Sequence, residues 1–194
     1  FIHSKSIVIA TGVAYRKLDI PGIDNFAGAG VYYGAASVEA HACRNEPIYI
    51  VGGGNSACQA ALYMAKFASE VNIVIRRDAL SQVAANYLVE NIGNTPNIRI
   101  ITHTDVVACS GSTILENITL RNAKTGEETI VPTKALFIYI GTRPGTDWLN
   151  DLVLKDEKGY ILSGSDVVKA PTYNTTWKLK REPFLPETSI PGIF

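Results

Sequence analysis

The sequence predicts an α/β protein built on a parallel sheet with an antiparallel insertion, and three features predict it. Residues 47–75 run as a short apolar strand, a glycine turn, an Ala-rich helix-favouring stretch and a second apolar strand. That order is a βαβ unit, which brings a parallel strand pair and a right-handed crossover. Residues 97–102 and 135–140 repeat the apolar strand pattern. Between them, residues 105–132 break into three short strand-like stretches separated by Ser110-Gly111-Ser112 and Lys124-Thr125-Gly126, which reads as an antiparallel meander.

In chain order, residues 6–10 form an apolar run closing on Thr11-Gly12, expected to be a buried strand, and residues 15–30 read as a connecting segment. A short helix is expected over 37–43, capped by Ser37. Strands follow at 47–51 and 71–75 around a helix over 57–67, then a helix over 83–92 and a third strand at 97–102. The strand at 135–140 ends on Gly141-Thr142-Arg143-Pro144-Gly145, and the tail from Ser163 onward reads as extended connections.

Composition excludes several classes. The 18 basic and 18 acidic residues cancel, which removes the broad positive field on which nucleic-acid or anionic-membrane binding rests. No apolar run approaches the roughly 20 residues that cross a bilayer. Cys43, Cys58 and Cys109 contain no C-x-x-C pair, so neither a disulfide framework, a structural zinc nor a local redox dithiol is expected. Each is expected as a small buried apolar residue. His3, His41 and His103 have no ligand spacing, and no metal site is expected.

The glycine turn carries the chemistry. Gly52, Gly54 and Ala57 match G-x-G-x-x-[G/A] between a strand and a helix. The first glycine permits the tight turn, the second lets a pyrophosphate approach the backbone, and Ala57 allows the helix to pack closely on the strand. A pyrophosphate would sit at the helix N-terminus, where free N–H groups and the dipole favour negative charge. Asn55 and Ser56 are expected to add side-chain hydrogen bonds there. At the end of the next strand, where NAD-binding units usually carry an acid for the ribose 2′-OH, stand Arg76 and Arg77. Guanidinium groups suit a 2′-phosphate. Asp78, next in line, keeps the NAD alternative open.

The strings GGGNSA at 52–57, KFASEV at 66–71 and RRD at 76–78 resemble the NADPH-binding domain of thioredoxin reductase and its relatives, two-domain flavoproteins of the pyridine nucleotide–disulfide oxidoreductase group. IATG at 9–12 with Pro21-Gly22, the G-x-x-P at 141–144 and SIPGIF at 189–194 are similar to stretches where such chains pass between their two domains. The resemblance implies a Rossmann-like NAD(P)H-binding domain over 37–145. Residues 1–36 and 146–194 would be remnants of an FAD domain, and the chain a fragment of its parent. It also places Ile140 and Gly141 along the nicotinamide half of NADPH.

Two departures qualify what the resemblance implies. Where the family carries its C-x-x-C, this chain has Gly34-Ala35-Ala36-Ser37, with neither sulfur. The family's basic cluster often has a further Arg, and Ser81 stands in its place. The expected function is therefore hydride transfer from NADPH to FAD in a full-length parent, without a local redox dithiol and with no catalytic residue in this chain. The alternatives are a non-catalytic NADP(H)-binding sensory or regulatory module, and a disulfide reductase whose cysteines lie elsewhere. The expected partners are NADP(H) and a protein or small-molecule electron acceptor in a cytoplasmic setting, with a homodimer left open.

Overall fold

The computed structural model describes residues 3–34 and 37–194, with the side chains of Ser37, Val38 and Ala42 outside the description. Two compact units appear, Tyr15–Gly141 and the pair of segments Phe1–Ala14 with Thr142–Phe194. The strands are β1 (Val13–Tyr15), β2 (Val31–Tyr33), β3 (Pro47–Val51), β4 (Glu70–Val74), β5 (Ile98–Ile101), β6 (Thr104–Gly111), β7 (Leu115–Asn122), β8 (Glu128–Pro132), β9 (Leu136–Ile138) and β10 (Thr142–Pro144). The helices are α1 (Ser37–Ala42), α2 (Asn55–Met64), α3 (Asn86–Gly93), α4 (Ser165–Lys169) and α5 (Tyr173–Thr176).

The larger unit holds a five-stranded parallel sheet in the order β2-β9-β3-β4-β5, and a three-stranded antiparallel sheet, β6-β7-β8. Side chains alternate across a strand, so β3 serves two cores at once. Ile48 and Ile50 pack with Ala57, Cys58, Ala61 and Met64 of α2 and with Leu88 and Ile92 of α3. Tyr49 and Val51 turn the other way, onto Val106, Leu115, Ile118 and Leu120 of the meander. Each fully buried aliphatic or aromatic side chain contributes about 1.5–3 kcal/mol. The two faces of the sheet, rather than its loops, therefore hold the unit together.

The sequence-derived helix bounds shift for local reasons. The helix expected over 57–67 begins at Asn55 and stops at Met64. Beyond it, Asn97 Nδ2 donates to the carbonyls of Ala65 (2.9 Å) and Ala68 (3.2 Å), turning the chain toward β4. The helix expected over 83–92 starts only at Asn86, because residues 80–84 form a tight turn closed by Ala84 N–H to Leu80 O. The larger compact unit runs from Tyr15 to Gly141 and includes β2 as the edge strand of its sheet.

In the smaller unit β1 and β10 form a two-stranded ribbon. Residues 6–10 are not the buried strand expected. Ile7 makes a single bridge to Ile193, and Val8 is 73% exposed. The tail from Ser163 is not wholly extended either, since α4 and α5 form there. Helices of four and five residues are too short to show a periodic pattern.

One charged group organises this unit. The Glu187 carboxylate is fully buried, receiving a fork from Arg181 (Nη1 to Oε2 2.6 Å, Nη2 to Oε1 2.9 Å) and the N–H groups of Phe184 and Gly192, each at 2.9 Å. Arg181 lies over the rings of Phe184 and Trp177. The Arg181 hydrogen bonds pull the Glu187 carboxyl down to about 2 against the opposing effect of burial, helped by the two backbone donors. A folded value below the unfolded one, about 4.3, means that Glu187 stabilises the fold fully above pH ~5 and loses this as pH falls toward 2. Both tryptophans, Trp148 and Trp177, lie in this unit. Urea midpoints read by their emission should therefore fall more steeply below pH ~5 in the wild type than in Glu187→Gln; equal slopes would show that the carboxylate is not the responsible group.

Candidate functional site

At the carboxyl end of the parallel sheet Tyr33, Ile138, Val51, Val74 and Ile101 stand in one row. The chain runs outward from β3 through β4 to β5, then returns to place β9 on the other side of β3. The gap beyond β3 and β9 is thus a topological switch point, where open α/β sheets bind ligands.

Gly52 opens the turn at this point. Its N–H donates to Val74 O at 3.1 Å, while Tyr139 N–H donates to Val51 O at 2.8 Å. Its φ is +122°, and a Cβ there would run into the Tyr139 carbonyl. Gly53 is enclosed by Ile75, Leu80 and Val83, whereas a Cβ on Gly54 would meet nothing within 4 Å. The backbone at Gly54 therefore borders open space. Ala57 is buried against the sheet, so its side chain packs the helix and only its N–H faces the helix end.

The helix end itself differs from expectation. Gly54 is the cap residue and no side chain caps the helix. The first intrahelical bond is Cys58 N–H to Gly54 O at 3.1 Å, which leaves the N–H groups of Asn55, Ser56 and Ala57 ahead of it. Asn55 turns its side chain elsewhere: Oδ1 accepts from Ala85 N–H at 2.9 Å, fastening the start of α2 to the start of α3. Ser56 is exposed. Three uncapped N–H groups at a helix N-terminus make a site ready for an anion.

Arg76 and Arg77 follow β4. Arg76 Nε lies 3.7 Å from Asp105 Oδ1 and its side chain is 78% exposed. Arg77 has no ion pair among the described residues, and its carbonyl accepts from His103 N–H at 3.3 Å. Asp78 is exposed yet contacted at both oxygens, with His103 Nε2 at 3.0 Å and Lys124 Nζ at 3.9 Å from Oδ1, and Gln82 Nε2 donating to Oδ2 at 3.4 Å. Sequence reasoning missed His103 and Lys124 because both reach Asp78 from distant connections, the β5–β6 link and the β7–β8 turn. On the other side of the turn, Ile140 packs on the meander-side core and Gly141, at φ +96°, accepts from Arg16 N–H at 3.0 Å.

At the end of β2 an open cavity of about 320 Å³ is lined by Tyr15, Val31, Tyr32, Gly34 and Glu39 among others. Ala35, Ala36 and the Ser37 side chain, the rest of the stretch that replaces the family's dithiol, lie outside the described residues. Tyr139 is pushed up to about 12, chiefly by burial, with Tyr15 and Glu39 adding to it. The three thiols are buried and free, and burial raises each of them, Cys109 to about 11. None is poised to act as a thiolate.

The family profile for pyridine nucleotide-disulphide oxidoreductases matches residues 2–168. The chain belongs to that family. It is 34% identical over 174 residues to the bifunctional thioredoxin reductase/thioredoxin of Mycobacterium leprae, covering 90% of this chain and 36% of that protein. The thioredoxin reductase of Debaryomyces hansenii is 32% identical, covering 100% of this chain and 54% of its own length. The crystal structure of T. acidophilum thioredoxin reductase matches with a TM-score of 0.76 at 26% identity, over 99% of this chain and 56% of that one. The chain thus spans about half, or less, of these relatives. It is a thioredoxin-reductase-like member of the pyridine nucleotide-disulphide oxidoreductase family, with the five-stranded parallel sheet and three-stranded meander of that fold. No described helix is long and apolar enough to cross a membrane.

Two outcomes follow from the packing. Gly52→Ala should lower stability by about 3 kcal/mol, combining a disfavoured positive φ with overpacking against Tyr139; an unchanged urea midpoint would show that the turn tolerates a side chain. The folded protein should react with a thiol reagent at neutral pH far more slowly than the same chain in denaturant. A fast-reacting sulfur in the folded chain would contradict the burial of all three.

Proposed function

We propose that residues 15–141 form an NADPH-binding domain of a thioredoxin-reductase-like, FAD-dependent oxidoreductase that works without a local redox dithiol. The observation that carries this is an uncapped helix N-terminus after β3, at the switch point of the sheet, with the Arg76-Arg77 pair just past the end of the neighbouring strand β4. In this reading the N–H groups of residues 55–57 hold the pyrophosphate and the arginines meet the 2′-phosphate. Ile140 and Gly141 border the nicotinamide half. Transfer of a hydride from nicotinamide to flavin is the cofactors' own chemistry, and the residues named here bind and orient. The flanking segments are proposed to belong to the FAD domain of the whole protein, which would pass electrons to a protein or small-molecule acceptor.

The glycine and serine in place of two sulfurs support a second reading as well, a sensory or regulatory module that binds NADP(H) without turning it over. Flavin reduction by NADPH in the whole protein separates the two.

Calorimetric titration of this chain with NADPH and NADH at one salt concentration tests the binding proposal. Arg77→Ala should weaken NADPH by about 1.5–3 kcal/mol, the range for hydrogen bonds to charged groups, and leave NADH nearly unchanged. Arg76→Ala should cost less, because Asp105 already competes for that guanidinium. Equal losses for both nucleotides would refute the role given to the pair.

A further inference from the structure

We propose that His103 is a specificity-determining residue of this crevice: by holding the Asp78 carboxylate, it leaves the arginine pair facing a 2′-phosphate and sets the preference for NADPH over NADH. The proposal rests on the reading that the crevice binds a dinucleotide.

The segment Arg76-Arg77-Asp78 carries opposed chemistries. Two guanidinium groups attract a phosphate on the ribose, while a carboxylate repels it and instead accepts from a free 2′-OH. Which prevails depends on whether Asp78 is free, and both of its oxygens are engaged. His103 makes the shortest contact, 3.0 Å, and its side chain is 21% exposed against 68% for Asp78. Lys124 and Gln82 complete the set at 3.9 and 3.4 Å.

His103 is held in place independently of Asp78. Its φ of +51° lies in the left-handed region, uncommon for a residue with a side chain. The conformation is fixed from both sides: its N–H donates to Arg77 O at 3.3 Å, and its carbonyl accepts from Ala123 N–H at 2.7 Å. One residue therefore anchors the main chain of Arg77 and the side chain of Asp78 together. Lys124 comes from the β7–β8 turn, where Asn122 Oδ1 accepts from the N–H groups of Lys124 and Thr125 at 2.9 and 3.1 Å. The charged groups around His103 are thus Arg76, Arg77 and Lys124 against Asp78 and Asp105. Asp105 faces Arg76, so Asp78 is the carboxylate whose release would change the balance.

The test is the ratio of NADPH to NADH dissociation constants, measured by calorimetry at fixed salt and pH. His103→Asn is the variant of choice, because Asn tolerates the left-handed backbone. The ratio should move toward NADH by about five- to tenfold, the effect of freeing one carboxylate from a hydrogen bond beside the phosphate. His103→Asn combined with Asp78→Asn should recover most of the NADPH preference, which a merely structural role for His103 would not produce. Lys124→Ala, in an exposed turn, should shift the ratio in the same direction by a smaller factor, and it serves if His103→Asn fails to fold. A wild type that prefers NADPH, with variants that keep the same ratio, overturns this proposal and leaves the binding reading standing. A wild type that binds neither nucleotide overturns both.

Discussion

Position 52 has no room for a side chain, because the carbonyl of Tyr139 occupies the place a Cβ would take. That constraint comes from main chain meeting main chain where β9 lies beside β3, so substitution elsewhere cannot easily relax it. With Gly52 fixed, the chain leaves β3 sharply and enters α2 at Gly54, a residue with neither a side chain nor a side-chain cap. The unsatisfied N–H groups then face the switch point. Anion-binding capacity at this helix end is a by-product of how closely two parallel strands approach, rather than of any polar side chain placed there.

Charge is unevenly distributed about that turn. The neighbouring β4 end carries Arg76, which Asp105 faces, and Arg77, which has no ion pair among the described residues, while Asp78 is held by His103, Lys124 and Gln82. The β9 end is apolar and tyrosine-rich, with a buried Glu39 Oε2 that has no hydrogen-bond partner among the described residues. A long ligand with one polyanionic end and one flat, nearly neutral end is the kind of molecule such an asymmetry suits.

The sequence made the βαβ unit and the meander legible because both rest on local signals: the glycine triplet, the Ala-rich run after it, and turn residues at 110–112 and 124–126. Ala57 was readable for the same reason, since its spacing from Gly52 fixes which face of α2 it occupies. The bond between Asn55 and Ala85 was not legible, because Ala85 stands thirty residues downstream and nothing near position 55 signals it. His103 and Asn97 escaped for a similar reason: each acts, from a connection beside β5, on a loop distant in sequence. Residues 6–10 misled in the opposite way. Their apolar run has the composition of a core strand, yet it makes one isolated bridge, Ile7 to Ile193, and Val8 stays exposed.

The order in which the sheet is assembled adds a kinetic consequence. Strands β3, β4 and β5 are neighbours in sequence and in space, and the meander pairs with itself through hairpins, so both can form from contacts close along the chain. Strand β9 is different: it must cross back over the whole meander to pair with β3 and β2. Loop closure over that span makes it the last strand to join, and with it the Tyr139 carbonyl that shapes the glycine turn. Until residues 136–138 arrive, β3 presents a bare, strongly apolar edge of the kind that recruits other chains. A nascent or truncated chain ending before β9 would therefore carry the complete glycine motif, yet it would expose that edge and lack the carbonyl that shapes the turn.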